Sequence, residues 1–153
     1  MKILCLIPAR SGSKGIKDKN IKLFRNKPLL AWSIEQALNS SFIKHMRIIV
    51  STDSLLYGKI AINYGAEVPF LRPKEISQDL STDKEFIIYT IERLKKEEGY
   101  KPDLILQLRP TYTNRDIKII DDCIQKFIDN YNKYDSLRTI VPFNKSPYKM
   151  YTL

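Results

Sequence analysis

KILCLIPARSGSKGIKDKN, residues 2–20, starts as an apolar run without alternation and ends as a loop of small and basic residues. A strand with one wet face would alternate apolar and polar side chains, so KILCLIP, residues 2–8, reads as a strand covered on both faces. Behind the loop, Pro28 opens a segment whose Leu30, Ile34, Ala37 and Leu38 recur at helical spacing. Strand, loop and helix in that order form the first half of a parallel βαβ unit.

The same alternation continues along the chain. MRIIVS, residues 46–51, predicts a second strand, and Leu55 to Tyr64 a second helix ended by Gly65. EVPFL, residues 67–71, reads as a third short strand, confined to an edge by Pro69. Thr82 and Glu85 form a capping-box pattern ahead of Phe86, Ile87, Ile91 and Leu94, which predicts a helix start. LILQL, residues 104–108, is another buried strand. Ile117, Ile120, Ile124, Phe127 and Tyr131 trace one helix face, and RTIVPF, residues 138–143, reads as a fifth strand. No repeat, linker or low-complexity tract interrupts the pattern. The expected architecture is α/β, one domain over residues 1–153, with a mainly parallel sheet between helical layers.

In such sheets ligands sit outside the carboxyl ends of the strands. The segments that follow the strands here are ARSGSKGIKDKN, TDS, RPKEISQDLSTD and RPTYTNR, which carry Arg10, Lys14, Lys19, Arg72, Arg109 and Arg115. Their convergence on one rim predicts an anionic ligand more sharply than the net charge of +9 does. Lysines recur along the whole chain without an unbroken basic run, which argues against a nucleic-acid-binding tail. Two cysteines, Cys5 and Cys123, give no disulfide framework, and a lone His45 gives no zinc site. Pro8, Arg10 and Lys14 interrupt the first apolar stretch too early for a signal peptide, and no run reaches membrane-spanning length, so a cytoplasmic protein is expected.

The first loop has its own chemistry. Ser11, Gly12, Ser13 and Gly15 let backbone N–H groups approach a phosphate, while Arg10 and Lys14 bring charge to the same place. Neither G-x-x-x-x-G-K-[ST] nor G-x-G-x-x-G occurs, which removes the usual support for a P-loop kinase or a dinucleotide-dependent dehydrogenase. Asp53, at a strand end just before a helix, reads first as an N-cap, with a metal or ribose contact as the alternative. Asp121 and Asp122 are adjacent on a helix, diverge, and read as a solvated face.

IPARSGSKGIKDKN at residues 7–20 resembles the signature of the CMP-N-acetylneuraminate synthetases, cytidylyltransferases that activate sialic acid and related nonulosonic acids. STD at Ser51 to Asp53, RPKEISQDLS at Arg72 to Ser81, LRPTYTNR at Leu108 to Arg115 and SPYKMY at Ser146 to Tyr151 resemble further segments of that family in the same order. The resemblance implies a Rossmann-like nucleotidyltransferase fold and transfer of CMP from CTP to a nine-carbon acidic keto-sugar, with release of pyrophosphate. It also implies magnesium, no nucleic-acid or membrane partner, and a homodimer.

Carried over by position, Arg10 and Lys14 match the family's phosphate contacts, with Lys14 stabilising charge at the α-phosphate. Ser13, Lys19 and Asn20 match neighbouring positions, Asn20 as a ribose or phosphate contact. Arg72 matches an arginine that contacts cytosine, whose exocyclic amine then needs an acceptor near Ser81. Arg109 stands where many relatives have glutamine in QPTSPLR. Its guanidinium either pairs with the sugar carboxylate or forms a structural pair with a nearby acid such as Asp116. Thr111 and Arg115 match the family's sugar side, whereas Tyr112, Thr113 and Asn114 depart from it.

The resemblance further implies a C-terminal segment that packs across a partner subunit and carries a magnesium-binding aspartate pair. No acidic pair here matches that motif, so the metal ligands are expected outside this sequence and the chain reads as a truncated form. The alternatives are a catalytically impaired CTP-binding module and a cytidylyltransferase for Kdo, an eight-carbon keto-acid sugar.

Overall fold

The fold is that of a computed structural model, which describes residues 1–140. Strand β1 (Ile3–Pro8) is followed by a hairpin of β2 (Leu23–Phe24) and β3 (Lys27–Pro28), then by helix α1 (Leu29–Leu38). Next come β4 (Met46–Ser51), α2 (Leu55–Asn63), α3 (Asp83–Glu98), β5 (Leu104–Gln107) and α4 (Ile117–Asp129). The main sheet is parallel with the order β4-β1-β5, so β1 is hydrogen-bonded on both edges. Cys5, for instance, faces Ile48 on one side and Leu106 on the other.

The absence of alternation in β1 has a direct physical cause. Ile3, Cys5 and Ile7 point to one face, where they join Leu30 and Ile34 of α1, Tyr57 and Ala61 of α2, and Ile120 and Ile124 of α4. Leu4 and Leu6 point to the other and meet Ile49 of β4 with Phe86 and Leu94 of α3. Both faces are dry, so both sets of side chains must be apolar. Burial pushes the Cys5 thiol up to about 12, which leaves it a small hydrophobe.

The helix signals act as read. The Glu85 carboxylate accepts from the backbone N–H and, at 2.9 Å, from the hydroxyl of Thr82, fixing the start of α3. Gly99 ends that helix at φ 63°, and Gly65 follows α2 at φ 93°, conformations that favour glycine.

Three expectations are corrected, and a fourth falls partly outside the described residues. The segment 67–71 forms no strand: it touches β4 through a single parallel bridge at Glu67, because Pro69 has no N–H to continue a ladder. Residues 138–140 lie in no strand, and 141–143 of the fifth expected strand, like SPYKMY, lie outside the described residues. Asp53 does not cap α2. Ser54 does, accepting from the Tyr57 N–H at 3.4 Å. Asp121 is not solvated: it accepts from the Ser40 hydroxyl at 2.6 Å and the Ser41 N–H at 3.0 Å, while Asp122 pairs with Lys118.

Because Leu6 is fully buried between β4, β5 and α3, Leu6→Ala is expected to cost about 2–5 kcal/mol of stability. Urea unfolding followed by circular dichroism measures this, and a cost within the error of zero would contradict the assigned packing.

Candidate active site

Chain order reverses at β1, whose sheet neighbours β4 and β5 lie on opposite sides, and the cleft opens there, beyond the carboxyl ends of β1 and β5. It measures about 250 Å³ and is lined from three directions: the loop after β1, the segment before α3 with Phe86 in that helix, and the turn after β5. Arg10, Ser13, Lys19, Asn20, Arg72, Ser81, Arg109 and Thr111 all border it. A larger hollow, about 530 Å³, runs along β5 and α4, but it is mainly apolar and no arginine or lysine lines it.

The first loop is tied at several points. The Ser11 N–H and hydroxyl both donate to the Asp53 carboxylate at 2.8 Å, which joins the exit of β1 to the exit of β4. Asn20 is buried, and its amide donates to the Arg10 carbonyl at 2.9 Å. Asp18 sits in the left-handed region at φ 52° and accepts from the buried Tyr57 hydroxyl at 3.0 Å. Burial and this partner raise the pKa of that phenol. The Ser13 N–H is turned inward onto the Ser11 carbonyl, whereas those of Gly12, Lys14 and Gly15 make no hydrogen bond among the described residues. Neither loop glycine adopts a positive φ, and a Cβ at Gly15 would meet nothing within 4 Å.

Arg72 is 6% exposed. Its Nη2 donates to the Ser51 carbonyl at 2.6 Å, its Nε donates to the Ser51 hydroxyl at 3.1 Å, and its guanidinium lies over the Phe86 ring at 4.7 Å. Burial lowers its pKa to about 10; Asp53 and Asp83 oppose the shift and Arg10 adds to it, and the group stays charged at neutral pH. Its Nη1 makes no hydrogen bond among the described residues. Ser81 closes a turn, its hydroxyl accepting from the Gln78 N–H at 2.9 Å.

On the opposite wall Arg109, with a 63% exposed side chain, pairs with Asp83, not with Asp116. Gln107 donates to the same Asp83 carboxylate at 3.0 Å, and Asp116 instead caps α4. Two of the expected site residues do not border the cleft. Lys14 is 85% exposed and reaches across to Asp79 at 2.6 Å. Arg115 is held by the carbonyls of Arg109 and Tyr112 and by Ser33 and Gln36, so it braces the turn that carries Arg109 and Thr111. Sequence reasoning overlooked Asp79, Asp83 and Phe86. Asp79 and Asp83 both lie in RPKEISQDLSTD, in which the sequence marks only Arg72 and Ser81 as site candidates.

Residues 4–92, more than half of the chain, match the family described as Cytidylyltransferase. The chain belongs to the cytidylyltransferase family. It is 38% identical over 144 residues to the N-acylneuraminate cytidylyltransferase of Escherichia coli O18:K1:H7, covering 94% of this chain and 32% of that protein. It is 45% identical over 114 residues to the CMP-N,N'-diacetyllegionaminic acid synthase of Legionella pneumophila, covering 72% of this chain and 47% of the relative. A solved CMP:2-keto-3-deoxy-manno-octonic acid synthetase complexed with CTP shares the α/β nucleotidyltransferase fold. It superposes with a TM-score of 0.68 at 19% identity over 86% of this chain and 49% of that one. The chain thus spans half or less of the length of each of these cytidylyltransferases.

Asp53 and Ser54 are separable. Asp53→Ala is expected to speed amide exchange at Ser11 by about tenfold, the loss of one hydrogen bond to a charged acceptor, with α2 unaffected. Ser54→Ala is expected to cost about 1 kcal/mol of stability and leave Ser11 exchange unchanged. Hydrogen exchange read by NMR separates the two, and identical profiles would contradict the assignment.

Proposed function

We propose that this chain binds CTP in the cleft and carries the nucleotide side of CMP transfer to a nonulosonic acid, a sialic-acid-like keto-sugar, with release of pyrophosphate. The observation that carries the reading is the meeting of Arg10, Arg72 and Arg109, from three separate segments, around one cleft at the switch point of a cytidylyltransferase sheet. Arg10, Lys14 and the N–H groups of Gly12, Lys14 and Gly15 face the triphosphate. Charge developing at the α-phosphate is stabilised by positioning and electrostatics, and Lys14, exposed and paired with Asp79 in the free chain, leaves that partner for it.

Arg72 is built as a base reader. Two of its nitrogens are fixed on Ser51, so Nη1 is aimed by its own anchoring and can donate to the O2 or N3 of cytosine. Phe86 packs beneath the guanidinium and Ser81 closes the rim. Arg109 faces the sugar's carboxylate, which exchanges with Asp83 as its partner, and Thr111 lies beside it. Arg115 acts by holding the turn.

Magnesium, when bound, would screen the triphosphate. The described residues do not fit as its site: Asp83, which lines the cleft, and Asp79, on Arg10 beside it, are both committed to cations, and no group of three potential ligands lies together among the described residues. This favours, as second reading, a chain that binds CTP without turnover. A Kdo-type acceptor has less support, since the relatives of 38% and 45% identity carry nonulosonic acid names. Among the described residues no helix is long and apolar enough to cross a membrane.

A pyrophosphate-release assay with CTP, magnesium and a panel of nonulosonic and octulosonic acids tests the reading. Release is expected with nonulosonic acids, falling at least about 10²-fold in Lys14→Ala with the fold intact by circular dichroism. Equal release in that variant would remove Lys14 from the chemistry. CTP binding without release would favour the binding module, and tight, salt-sensitive binding to unrelated DNA would contradict both.

A further inference from the structure

Asp79 belongs to no helix or strand, yet it is the partner of two of the four cations of the first loop, Arg10 and Lys14. Its Oδ1 accepts from Arg10 Nη2 at 2.7 Å and its Oδ2 from Lys14 Nζ at 2.6 Å. The residue sits in a turn that closes on itself, with the Ser81 N–H on the Gln78 carbonyl at 3.2 Å. The Gln78 side chain in turn donates to the Lys74 carbonyl at 2.6 Å. The tip is in water, since the neighbouring Leu80 is 94% exposed. The carboxylate is therefore presented to the loop by a small, self-contained turn on the cleft rim. Lys14 and then Arg10 hold its pKa below the usual carboxylate range.

An exposed ion pair of this kind contributes little to stability, so its presence is not explained by folding. Its position matters more. Arg10 lines the cleft and has its second amino group on the Gly12 carbonyl at 2.6 Å, so an incoming anion that engages Arg10 and Lys14 together must take them from Asp79. A single carboxylate or chloride gains nothing by that exchange. A polyphosphate, with several charges and many acceptor oxygens, does.

We propose that Asp79 is an internal substitute for phosphate, holding Arg10 and Lys14 over the first loop until a polyphosphate displaces it and thereby selecting polyphosphates over single-charge anions. The inference deepens the CTP reading and rests on it only for the identity of the polyphosphate.

Calorimetric titration of the full chain with inorganic tripolyphosphate, and separately with CTP and GTP, tests it in wild type, Asp79→Asn and Asp79→Glu. Asp79→Asn is expected to bind tripolyphosphate at least about threefold more tightly than wild type, and Asp79→Glu to stay near wild type. A structural role would move affinity the other way. Unchanged or weaker binding in Asp79→Asn overturns the proposal, and so does equal tightening in Asp79→Glu, where the charge is kept. Failure of all three proteins to bind tripolyphosphate overturns it as well. Tightening in Asp79→Asn without any preference for CTP over GTP supports Asp79 as the substitute and removes CTP as the ligand. All three proteins are expected to melt together, because Asp79 lies outside the core.

Discussion

Strand β1 is hydrogen-bonded on both edges and covered on both faces, and the rest of the structure follows from that constraint. A strand with no wet face cannot be lengthened or shifted by one residue without moving side chains between two differently shaped cores. Its carboxyl end is therefore fixed in space. Pro8 lines the cleft, and the chain leaves the sheet into a loop that has to be held at a defined height above β4 and β5. The Ala9 N–H on the Ser51 carbonyl at 2.9 Å and Ser11 on Asp53 extend the sheet's geometry into that loop. Rigidity made in the core is handed outward by two short contacts.

The cleft that results is organised by charge pairing. Arg72 is anchored in the interior and held by Ser51 and Phe86, so it offers one aimed nitrogen and little freedom. Arg10 and Arg109 lie nearer the rim, each on a carboxylate from the segment that leads into and begins α3: Asp79 for the first, Asp83, the first residue of that helix, for the second. That segment thus neutralises cations from two different strand ends. It keeps like charges from repelling across a small opening, and it sets the strength an anion needs in order to enter. A buried, anchored arginine and rim arginines paired with exposed carboxylates differ in freedom, which is why the proposed function gives the first to the base and the others to acidic groups.

The core elements were legible because each has a periodic signature: apolar runs for β1, β4 and β5, and 3.6-residue spacing for α1, α3 and α4. The hairpin of β2 and β3 was not. Its turn residues Arg25 and Asn26 have φ of 50° and 61°, and the sequence lacks the glycine that usually signals such a turn. Segment 67–71 looks like a strand by composition, but Pro69 decides against a ladder. Arg10 and Arg109 could be found by their place behind strands, and Arg72 by its place behind a segment that only resembles one. The acids that pair with them or fix the loop could not, because Asp53, Asp79 and Asp83 reach Ser11, Arg10 and Arg109 across 42, 69 and 26 residues of chain. Such pairings are set by the sheet order and leave no local pattern.

The central claim is that the loops beyond β1, before α3 and beyond β5 form one site for a cytidine triphosphate. The direct measurement is an NMR titration of the isotopically labelled chain with CTP, following backbone amides and the Arg72 side chain. The account predicts shifts at Gly12, Lys14 and Gly15, at Arg72 and Ser81, and weaker shifts at Thr111, with GTP failing to move Arg72. Shifts centred on the hollow between β5 and α4, at Leu104 and Phe127, or an equal response of Arg72 to GTP, would contradict it.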